Sequence, residues 1–174
     1  MTPATYSIHP TPVGDALLVF TDDGLVTLHV TDEVDAELER VSHRLGSAPD
    51  RDDERARGIA EQLDEYFAGA RRSFDIDLDW RLVRGFTRAA LEQIRDIPYG
   101  ETASYGEVAV RAGSPGAHRA AGTACAMSPF SIVVPAHRVV RSDGSMGEYG
   151  GHPAVKRFLL DLERDAVGPG GADV

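Results

Sequence analysis

The sequence predicts an α+β protein made of a small N-terminal α/β domain followed by a helical domain. Three short β-rich segments open the chain, at Thr5–His9, Ala16–Thr21 and Leu25–Val30, and glycine-containing turns separate them. After residue 80 the apolar residues recur every three or four positions, which is the spacing of helices. We therefore assign residues 1–80 to the first domain, 81–164 to the second and 165–174 to a flexible tail.

Two helices are expected after the β-rich segments, at Asp32–Leu45 and Asp52–Phe67. The alternating residues Phe74–Leu78 then predict one more strand. We identify no catalytic group in this first domain.

The second domain is expected to contain a helix-turn-helix. Its opening helix carries apolar residues at helical spacing, namely Phe86, Ala90, Ile94 and Ile97. Ser104 with Glu107 three residues later predicts a capping box, and a helix starting near Ala117 and ending near Met127 follows a glycine-rich break. Two short helices joined in this way are typical of DNA-binding proteins, but they also occur as simple packing units in other helical proteins.

The last helix is expected to bury an apolar stripe formed by Val155, Phe158, Leu159 and Leu162. Glu163, four residues after Leu159, falls at the edge of that stripe. A carboxylate in such a position needs a partner, because burying an unpaired charge is costly. The alternative is a glutamate in solvent at the end of a helix.

The net charge of −10 argues at first against nucleic acid, because duplex affinity comes largely from Lys and Arg that neutralise phosphates. The distribution of charge changes this conclusion. Residues 1–79 hold 7 basic and 18 acidic side chains, whereas residues 80–164 hold 11 basic and 8 acidic ones. We expect weak binding to undamaged DNA, and a solvated acidic surface on the first domain.

Several classes of protein are not expected. The single cysteine, Cys125, excludes an internal disulfide, and the six histidines show no metal-ligand spacing, so we predict neither a metal site nor a cofactor. No apolar run has the length of a membrane span, and Met1–Pro12 lacks the pattern of a signal peptide. We expect a cytoplasmic protein.

Five ordered motifs carry a resemblance to a known family: Ile97–Thr102, Ser104–Glu107, Arg119–Gly122, Pro135–Val139 and Gly147–Gly151. In this order and spacing they resemble the O6-alkylguanine-DNA alkyltransferases. The resemblance implies a monomer with a winged helix-turn-helix domain that enters the minor groove and flips the damaged guanine into a pocket. The family motif is Pro-Cys-His-Arg, in which the cysteine accepts the alkyl group. The acceptor position here is Ala136, which has no nucleophile.

The resemblance also implies roles for single residues. His137 and Glu163 match the general-base pair that activates the family's cysteine. Arg119 matches the residue that fills the vacated base stack, and the turn at 141–147 matches the wing. The positions that match DNA-binding or base-binding residues of the family are Tyr105, Arg119, Ser128, Arg138, Val139, Tyr149 and Gly150. Ser128 replaces an asparagine that braces the active-site turn, and it has less hydrogen-bonding reach.

Three functions remain open. The favoured one is a damage sensor that binds duplex DNA containing O6-alkylguanine without alkyl transfer and presents it to nucleotide excision repair proteins. The second is an active alkyltransferase, either with Cys125 as a displaced acceptor or with its acceptor cysteine changed to alanine by engineering. The third is a regulator unrelated to repair that uses the same DNA-binding module.

Overall fold

The computed structural model describes residues 3–150 and 152–168. The chain divides into two compact units. The first is the chain up to Leu82 together with Pro129–Ser131, and the second is Val83–Ser128 with the chain from Ile132 onward. The mixed α+β class expected from the sequence is confirmed by the elements of both units. The sequence-based division places Pro129–Ser131 in the second domain, whereas the structure places this segment in the first unit.

The first unit is built on a sheet of four strands, which are β1 (Thr5–Thr11), β2 (Gly14–Thr21), β3 (Gly24–Thr31) and β4 (Asp50–Arg51). The strand order is β3-β2-β1-β4, with β1, β2 and β3 antiparallel and β4 parallel to β1. The first three strands confirm the expected β meander. Gly24, at φ +132°, closes the turn before β3, and a Cβ there would lie 2.4 Å from the Asp77 carbonyl oxygen. Only glycine fits this close backbone approach.

Two helices complete this unit, α1 (Val34–Leu45) and α2 (Asp53–Phe67). Asp52 caps α2, because its side chain accepts a hydrogen bond from the Arg55 amide at 3.1 Å. Val41 of α1 is buried against Leu17 and Val19 of β2, which forms the core of the unit. The predicted helices are therefore present and begin one or two residues later than expected.

The strand predicted at Phe74–Leu78 is wrong. This segment meets β3 at a single bridge, where the Leu25 amide donates to the Asp77 carbonyl at 2.9 Å. The alternating pattern reflects the burial of Ile76, which is 7% exposed, instead of a continuous ladder. Alternation reports which side chains are buried, and it does not report how many backbone bonds the segment makes.

Pro129–Ser131 joins the first unit through backbone bonds to β3. The Leu28 amide donates to the Pro129 carbonyl at 2.9 Å, and the Ser131 amide donates to the Leu28 carbonyl at 2.7 Å. The ring of Phe130 also packs edge to face on Trp80, with centroids 5.2 Å apart. Such a pairing between distant parts of the chain leaves no periodic signal in the sequence.

The second unit is mostly helical. Its elements are α3 (Gly85–Arg95), β5 (Ala103–Ser104), α4 (Tyr105–Arg111), α5 (His118–Met127), a short 3-10 turn (Ala136–Arg138), β6 (Val139–Val140) and α6 (Pro153–Val167). The predicted capping box is confirmed. The Ser104 hydroxyl accepts from the Glu107 amide, and the Glu107 carboxylate accepts from the Ser104 amide, both at 3.1 Å. It fixes the first turn of α4.

Strands β5 and β6 pair in parallel, with Ala103 opposite Val139. This pairing places the start of α4 beside the end of the 3-10 turn. After β6 the chain reverses in a turn where the Arg141 amide donates to the Ser145 carbonyl at 2.9 Å. The predicted wing coincides with this turn, and its function stays a prediction.

The buried face of α6 differs from the predicted stripe. Phe158 is 42% exposed, whereas Lys156, Leu159 and Glu163 are buried. These three residues share one helix face, since they are spaced by three and four positions. Two of them are charged, so a prediction based on hydrophobicity assigns Phe158 to the buried face instead. The charged ends can be buried only because other segments supply partners.

The predicted tail is also partly wrong, because residues 165–167 belong to α6, which ends at Val167. The rest of the predicted tail beyond Gly168 lies outside the described residues. Within residues 3–150 and 152–168, no helix is both long and apolar enough to cross a membrane.

Candidate functional site

A buried cluster connects the 3-10 turn to α6. His137 Nε2 lies 2.5 Å from Glu163 Oε2, and both side chains are almost fully inaccessible. Arg138 Nε donates to Glu163 Oε1 at 2.6 Å, and the Gly100 amide donates to the same oxygen at 3.3 Å. The sequence-based pairing of His137 with Glu163 is therefore present as a direct contact.

The charges in this cluster follow from burial and pairing. Burial lowers the pKa of His137, although the Glu163 carboxylate acts in the opposite direction. Burial alone would raise the pKa of Glu163, but hydrogen bonds and charge interactions with His137 and Arg138 outweigh it and bring the pKa to about 2. At neutral pH we take the glutamate as ionised and the imidazole as neutral, with its Nε2–H donating to the carboxylate.

The other ring nitrogen of His137, Nδ1, is also buried. It has no hydrogen-bond partner among the described residues. With Nε2 protonated, Nδ1 is the basic atom of the ring. The preceding residue, Ala136, is 6% exposed and has no titratable group. The pair thus has the arrangement of an oriented general base, while its neighbour in the turn offers no proton.

A cavity of about 550 Å³ lies between the recognition-helix candidate α5 and the loop that leads to α6. Its lining consists of Tyr105, Arg119, Gly122, Thr123, Cys125, Ala126, Arg141, Gly147, Glu148, Tyr149 and Gly150. Four of the residues predicted from the sequence to contact DNA or base are thus brought together, from three separate motifs. Its volume is typical of small-molecule sites, which span roughly 300–1,000 Å³.

The loop is held against Tyr105 at one point by a glycine. Gly147 has φ +74°, and a Cβ at this position would lie 2.8 Å from the Tyr105 hydroxyl oxygen. A larger residue would push the loop and the tyrosine apart. Gly147 therefore keeps one wall of the cavity closed.

Lys156 of α6 holds three segments around the cavity. Its ammonium donates to the Val139 carbonyl at 2.6 Å and lies 3.5 Å from both the Tyr105 hydroxyl and the Glu148 carbonyl oxygen. The ammonium also lies 5.7 Å from the centre of the Tyr105 ring. Burial lowers the pKa of Lys156 to about 8.

Lys156 is not among the site residues predicted from the sequence. One signal was available, because Lys156 is the only lysine in a chain whose other basic side chains are arginines and histidines. Arginine is preferred for bidentate pairing, whereas a lysine ammonium can fit a compact set of carbonyl and hydroxyl oxygens. A single lysine among many arginines therefore indicates a position that favours a compact ammonium.

Cys125 is a poor nucleophile in this structure. Its thiol lines the cavity, and burial raises the pKa to about 12 even though the Lys156 charge acts to lower it. The reactive form of cysteine is the thiolate, which is nearly absent at neutral pH when the pKa is this high. The alternative in which Cys125 serves as a displaced acceptor is disfavoured by its environment.

Three predicted DNA-binding residues lie away from the cavity wall. Arg138 is buried, bonds to Glu163 and donates to the Ile97 carbonyl at 2.6 Å, so its charge belongs to the interior. Ser128 ends α5, where its amide donates to the Cys125 carbonyl at 3.4 Å. The carbonyl of Val139, a position that matches a DNA-binding or base-binding residue of the family, accepts a hydrogen bond from the Lys156 ammonium at 2.6 Å.

Within the described ranges, no group of three or more His, Cys, Asp or Glu side chains could hold a metal ion. The arrangement offers a base, a cavity with exposed arginines at its edge, and no activated nucleophile.

Comparison with known proteins identifies the class. The family described as "6-O-methylguanine DNA methyltransferase, ribonuclease-like domain" matches residues 4–80, and its "DNA binding domain" matches residues 85–165. A methylated-DNA–protein-cysteine methyltransferase of Methanosarcina acetivorans is 34% identical over 161 residues, which cover 91% of this chain and 97% of that protein. The chain therefore belongs to the O6-methylguanine DNA methyltransferase family, and the resemblance found in its motifs is confirmed.

Two further similarities refine this placement. A methylated-DNA–protein-cysteine methyltransferase of Mycolicibacterium paratuberculosis is 50% identical over 107 residues, which are 62% of this chain and 64% of that relative. This aligned stretch is less than two thirds of the relative's length. The crystal structure of Mycobacterium tuberculosis OGT in complex with DNA has a TM-score of 0.78 at 35% identity and covers 97% of both chains. This structural match supports the fold expected for the family.

Proposed function

We propose that this protein binds O6-alkylguanine in duplex DNA, draws the base into the cavity beside Tyr105, and does not transfer the alkyl group. The observation that carries the proposal is the contrast at the 3-10 turn. The His137–Glu163 pair is intact, while Ala136 offers nothing to activate and the one cysteine of the chain has a pKa raised to about 12. A binding site retained without an acceptor fits a sensor that hands the lesion to nucleotide excision repair.

The exposed part of the site supports base flipping. Arg119 is exposed near the start of α5 and lines the cavity, so its side chain is available to enter a base stack. Turning a nucleotide out of a duplex costs a few kcal/mol, which the cavity has to return through stacking and hydrogen bonds. Tyr105 and Tyr149, which line the cavity, supply rings on which a base can stack.

The proposal is tested by titrating a labelled duplex with one O6-methylguanine and, in parallel, the same duplex with guanine. We expect tighter binding to the methylated duplex, and an intact protein mass that does not change during incubation. Equal affinity for the two duplexes would contradict lesion recognition and favour a regulator unrelated to repair. A mass gain of one methylene would contradict the absence of transfer.

Arg119→Ala tests whether α5 reads the lesion. Loss of the side chain that fills the stack is expected to weaken binding to the methylated duplex at least about tenfold, which corresponds to about 1.4 kcal/mol. Arg57→Ala is the control, because Arg57 is exposed on α2 of the first unit and pairs with Glu54. Equal small losses in both variants would show that Arg119 acts only through its charge.

An active transferase is the second candidate, and the names of the relatives favour it, since they transfer methyl groups to a protein cysteine. Cys125→Ser separates the two candidates. Under our proposal this variant keeps its affinity for the lesion within about threefold and loses no transfer, because the buried thiol takes part in none. Labelled methyl on the wild-type protein that is absent from Cys125→Ser would identify Cys125 as the acceptor.

A further inference from the structure

The arginines of the two units differ in how their charges are compensated. In the first unit, many of them form an ion pair with a carboxylate, namely Arg40, Arg51, Arg57, Arg71 and Arg81. Arg119 and Arg141 of the second unit line the cavity beside Tyr105, and their guanidinium groups form no hydrogen bond or ion pair with the residues that the structure describes. A guanidinium without a partner is available to bind an anion such as a phosphate through two hydrogen bonds.

The backbone of Arg141 is held in place, although its side chain is exposed. Its amide donates to the Ser145 carbonyl at 2.9 Å. The preceding residue, Val140, pairs with Ser104, which is the N-cap of α4. This pairing places Arg141 next to the start of α4, where Tyr105 lies. The guanidinium therefore extends from a fixed point at the edge of the cavity.

Positive charge exceeds negative charge around this cavity. Arg119 and Arg141 line it, the ammonium of Lys156 lies behind the wall that Tyr105 forms, and Glu148 is the one acidic side chain in the described lining. Burial is the main cause that lowers the pKa of Lys156 to about 8, and the positive charge of Arg141 acts in the same direction. The two cations are thus close enough to repel each other, and an anion bound beside Arg141 would relieve this repulsion.

A carboxylate on the same turn as Arg141, that of Asp143, is engaged elsewhere. Its Oδ1 accepts hydrogen bonds from the Ser145 amide at 2.9 Å and from the Ser145 hydroxyl at 2.6 Å. These bonds, more than the charge of Arg141, hold the pKa of Asp143 below its ordinary value. Asp143 stabilises the turn and leaves the guanidinium for an anion from outside the protein.

We infer that Arg141 binds the phosphate that adjoins the flipped nucleotide, so that binding of the DNA backbone and entry of the base into the cavity occur together. This inference rests on the proposed function and adds a binding residue to the same site. A base inside the cavity is tied to its phosphates through one sugar ring, so they stay at the open side of the cavity, where Arg141 is exposed. In an undamaged duplex the base remains stacked, and its phosphate does not reach this position.

A thermodynamic cycle tests the contact. It combines the wild type or Arg141→Ala with an O6-methylguanine duplex that has either ordinary phosphates or neutral methylphosphonates on both sides of the lesion nucleotide. We expect the methylphosphonates to weaken binding by the wild type at least about tenfold. Their penalty should be at least about fivefold smaller for Arg141→Ala, because the variant has already lost the same contact. Equal penalties in the two proteins would overturn the inference.

Arg157→Ala is the matched control. Arg157 is an exposed arginine of the same unit, its guanidinium has no hydrogen bond or ion pair with the described residues, and it lines a different cavity. The variant removes the same charge, and we expect it to keep the methylphosphonate penalty of the wild type. A penalty reduced as much in Arg157→Ala as in Arg141→Ala would overturn the assignment, because it would show a general effect of net charge.

The same duplex with guanine in place of the lesion separates this inference from the proposed function. If the wild type prefers the O6-methylguanine duplex and the cycle shows no coupling, the assignment of Arg141 fails while lesion recognition stands. Equal affinity of the wild type for the guanine and O6-methylguanine duplexes would overturn both.

Discussion

Two charged residues on the buried face of α6, Glu163 and Lys156, lie seven positions apart and are held in opposite ways. Glu163 is compensated by a buried arginine and accepts hydrogen bonds from two side chains and a backbone amide. Lys156 makes its described contacts with two carbonyls and a tyrosine, none of which carries a full negative charge at neutral pH. Their pKa values accordingly move to about 2 and about 8.

The difference separates two tasks within one unit. The Glu163 cluster fixes the 3-10 turn and orients His137, and its charges stay constant over the physiological range. Lys156 fixes the position of Tyr105 and of the loop that lines the cavity, and it lies close to losing its proton. A pair that is fully compensated gives a rigid framework, whereas an uncompensated cation ties the shape of a binding site to pH.

The largest expected effect comes from restoring a nucleophile at position 136. Ala136→Cys should gain stoichiometric, single-turnover methyl acceptance from O6-methylguanine DNA, because His137 and Glu163 are still paired as a base. Adding Glu163→Gln should slow this transfer substantially. The measurement is intact mass against time with excess methylated duplex.

Ala126→Cys is the matched control, because it places a thiol on the cavity wall but on α5, outside the 3-10 turn that carries His137. It should gain no comparable transfer. If Ala136→Cys binds the lesion and accepts no methyl group, the Glu163 cluster is a structural framework alone. The comparison between Glu163 and Lys156 would then concern structure only, because the Glu163 cluster would have no catalytic role.

The next largest effect concerns stability. Glu163→Gln keeps the shape of the side chain but leaves the guanidinium of Arg138 buried without a counter-charge. We expect a loss of about 3 kcal/mol in the free energy of unfolding at pH 7, measured by urea denaturation. Glu92→Gln, at an exposed pair with Arg88, should cost less than about 0.5 kcal/mol.

Glu163→Gln is also expected to change how the free energy of unfolding depends on pH. The pKa of Glu163 is lowered in the folded state, from 4.5 to about 2, so the unfolded chain binds more protons between these values. Its contribution to stability is therefore present above pH 4.5 and is lost as the pH falls toward 2. Glu163→Gln should lack this part of the acid-induced loss. An identical acid profile for both proteins would contradict the depressed pKa.

The smallest effect belongs to Lys156. The folded chain holds this proton less tightly than the unfolded chain, with a pKa of about 8 against 10.5, so stability should rise with pH across that interval. By about pH 9.5 the gain relative to pH 7 is about 2 kcal/mol. Lys156→Met should remove the rise, which denaturation at a series of pH values would detect.

A direct titration provides the control. Because Lys156 is the only lysine, a protein labelled with 15N at lysine gives a single side-chain resonance whose midpoint reports its pKa. A midpoint near 10.5 would show that the ammonium is solvated. It would contradict the proposed difference between a buried, uncompensated Lys156 and a compensated Glu163. Tyr105 faces the same ammonium, and burial raises the pKa of its phenol above the ordinary value.

Local signals in the sequence were sufficient for much of the architecture. Turn glycines and β-rich segments predicted the meander, and the Ser104–Glu107 spacing predicted the start of α4, because a turn or a cap depends on residues close together in the chain. The pairing of His137 with Glu163 and the family itself followed from the motifs. The strand at 74–78 failed because alternation does not specify a partner strand.

What the sequence by itself determined is therefore the family, the two-part α+β plan and the absence of a nucleophile at position 136. Only the tertiary structure decided that Lys156 is buried, that Arg138 lies in the interior, and that small residues from α5 and the loop enclose one cavity. The physical reason is that burial of a charge depends on partners from distant segments, which no local pattern encodes. A prediction from hydrophobicity places Phe158 on the buried face of α6. In the structure, carbonyl, hydroxyl and guanidinium partners stabilise burial of the face that carries Lys156 and Glu163.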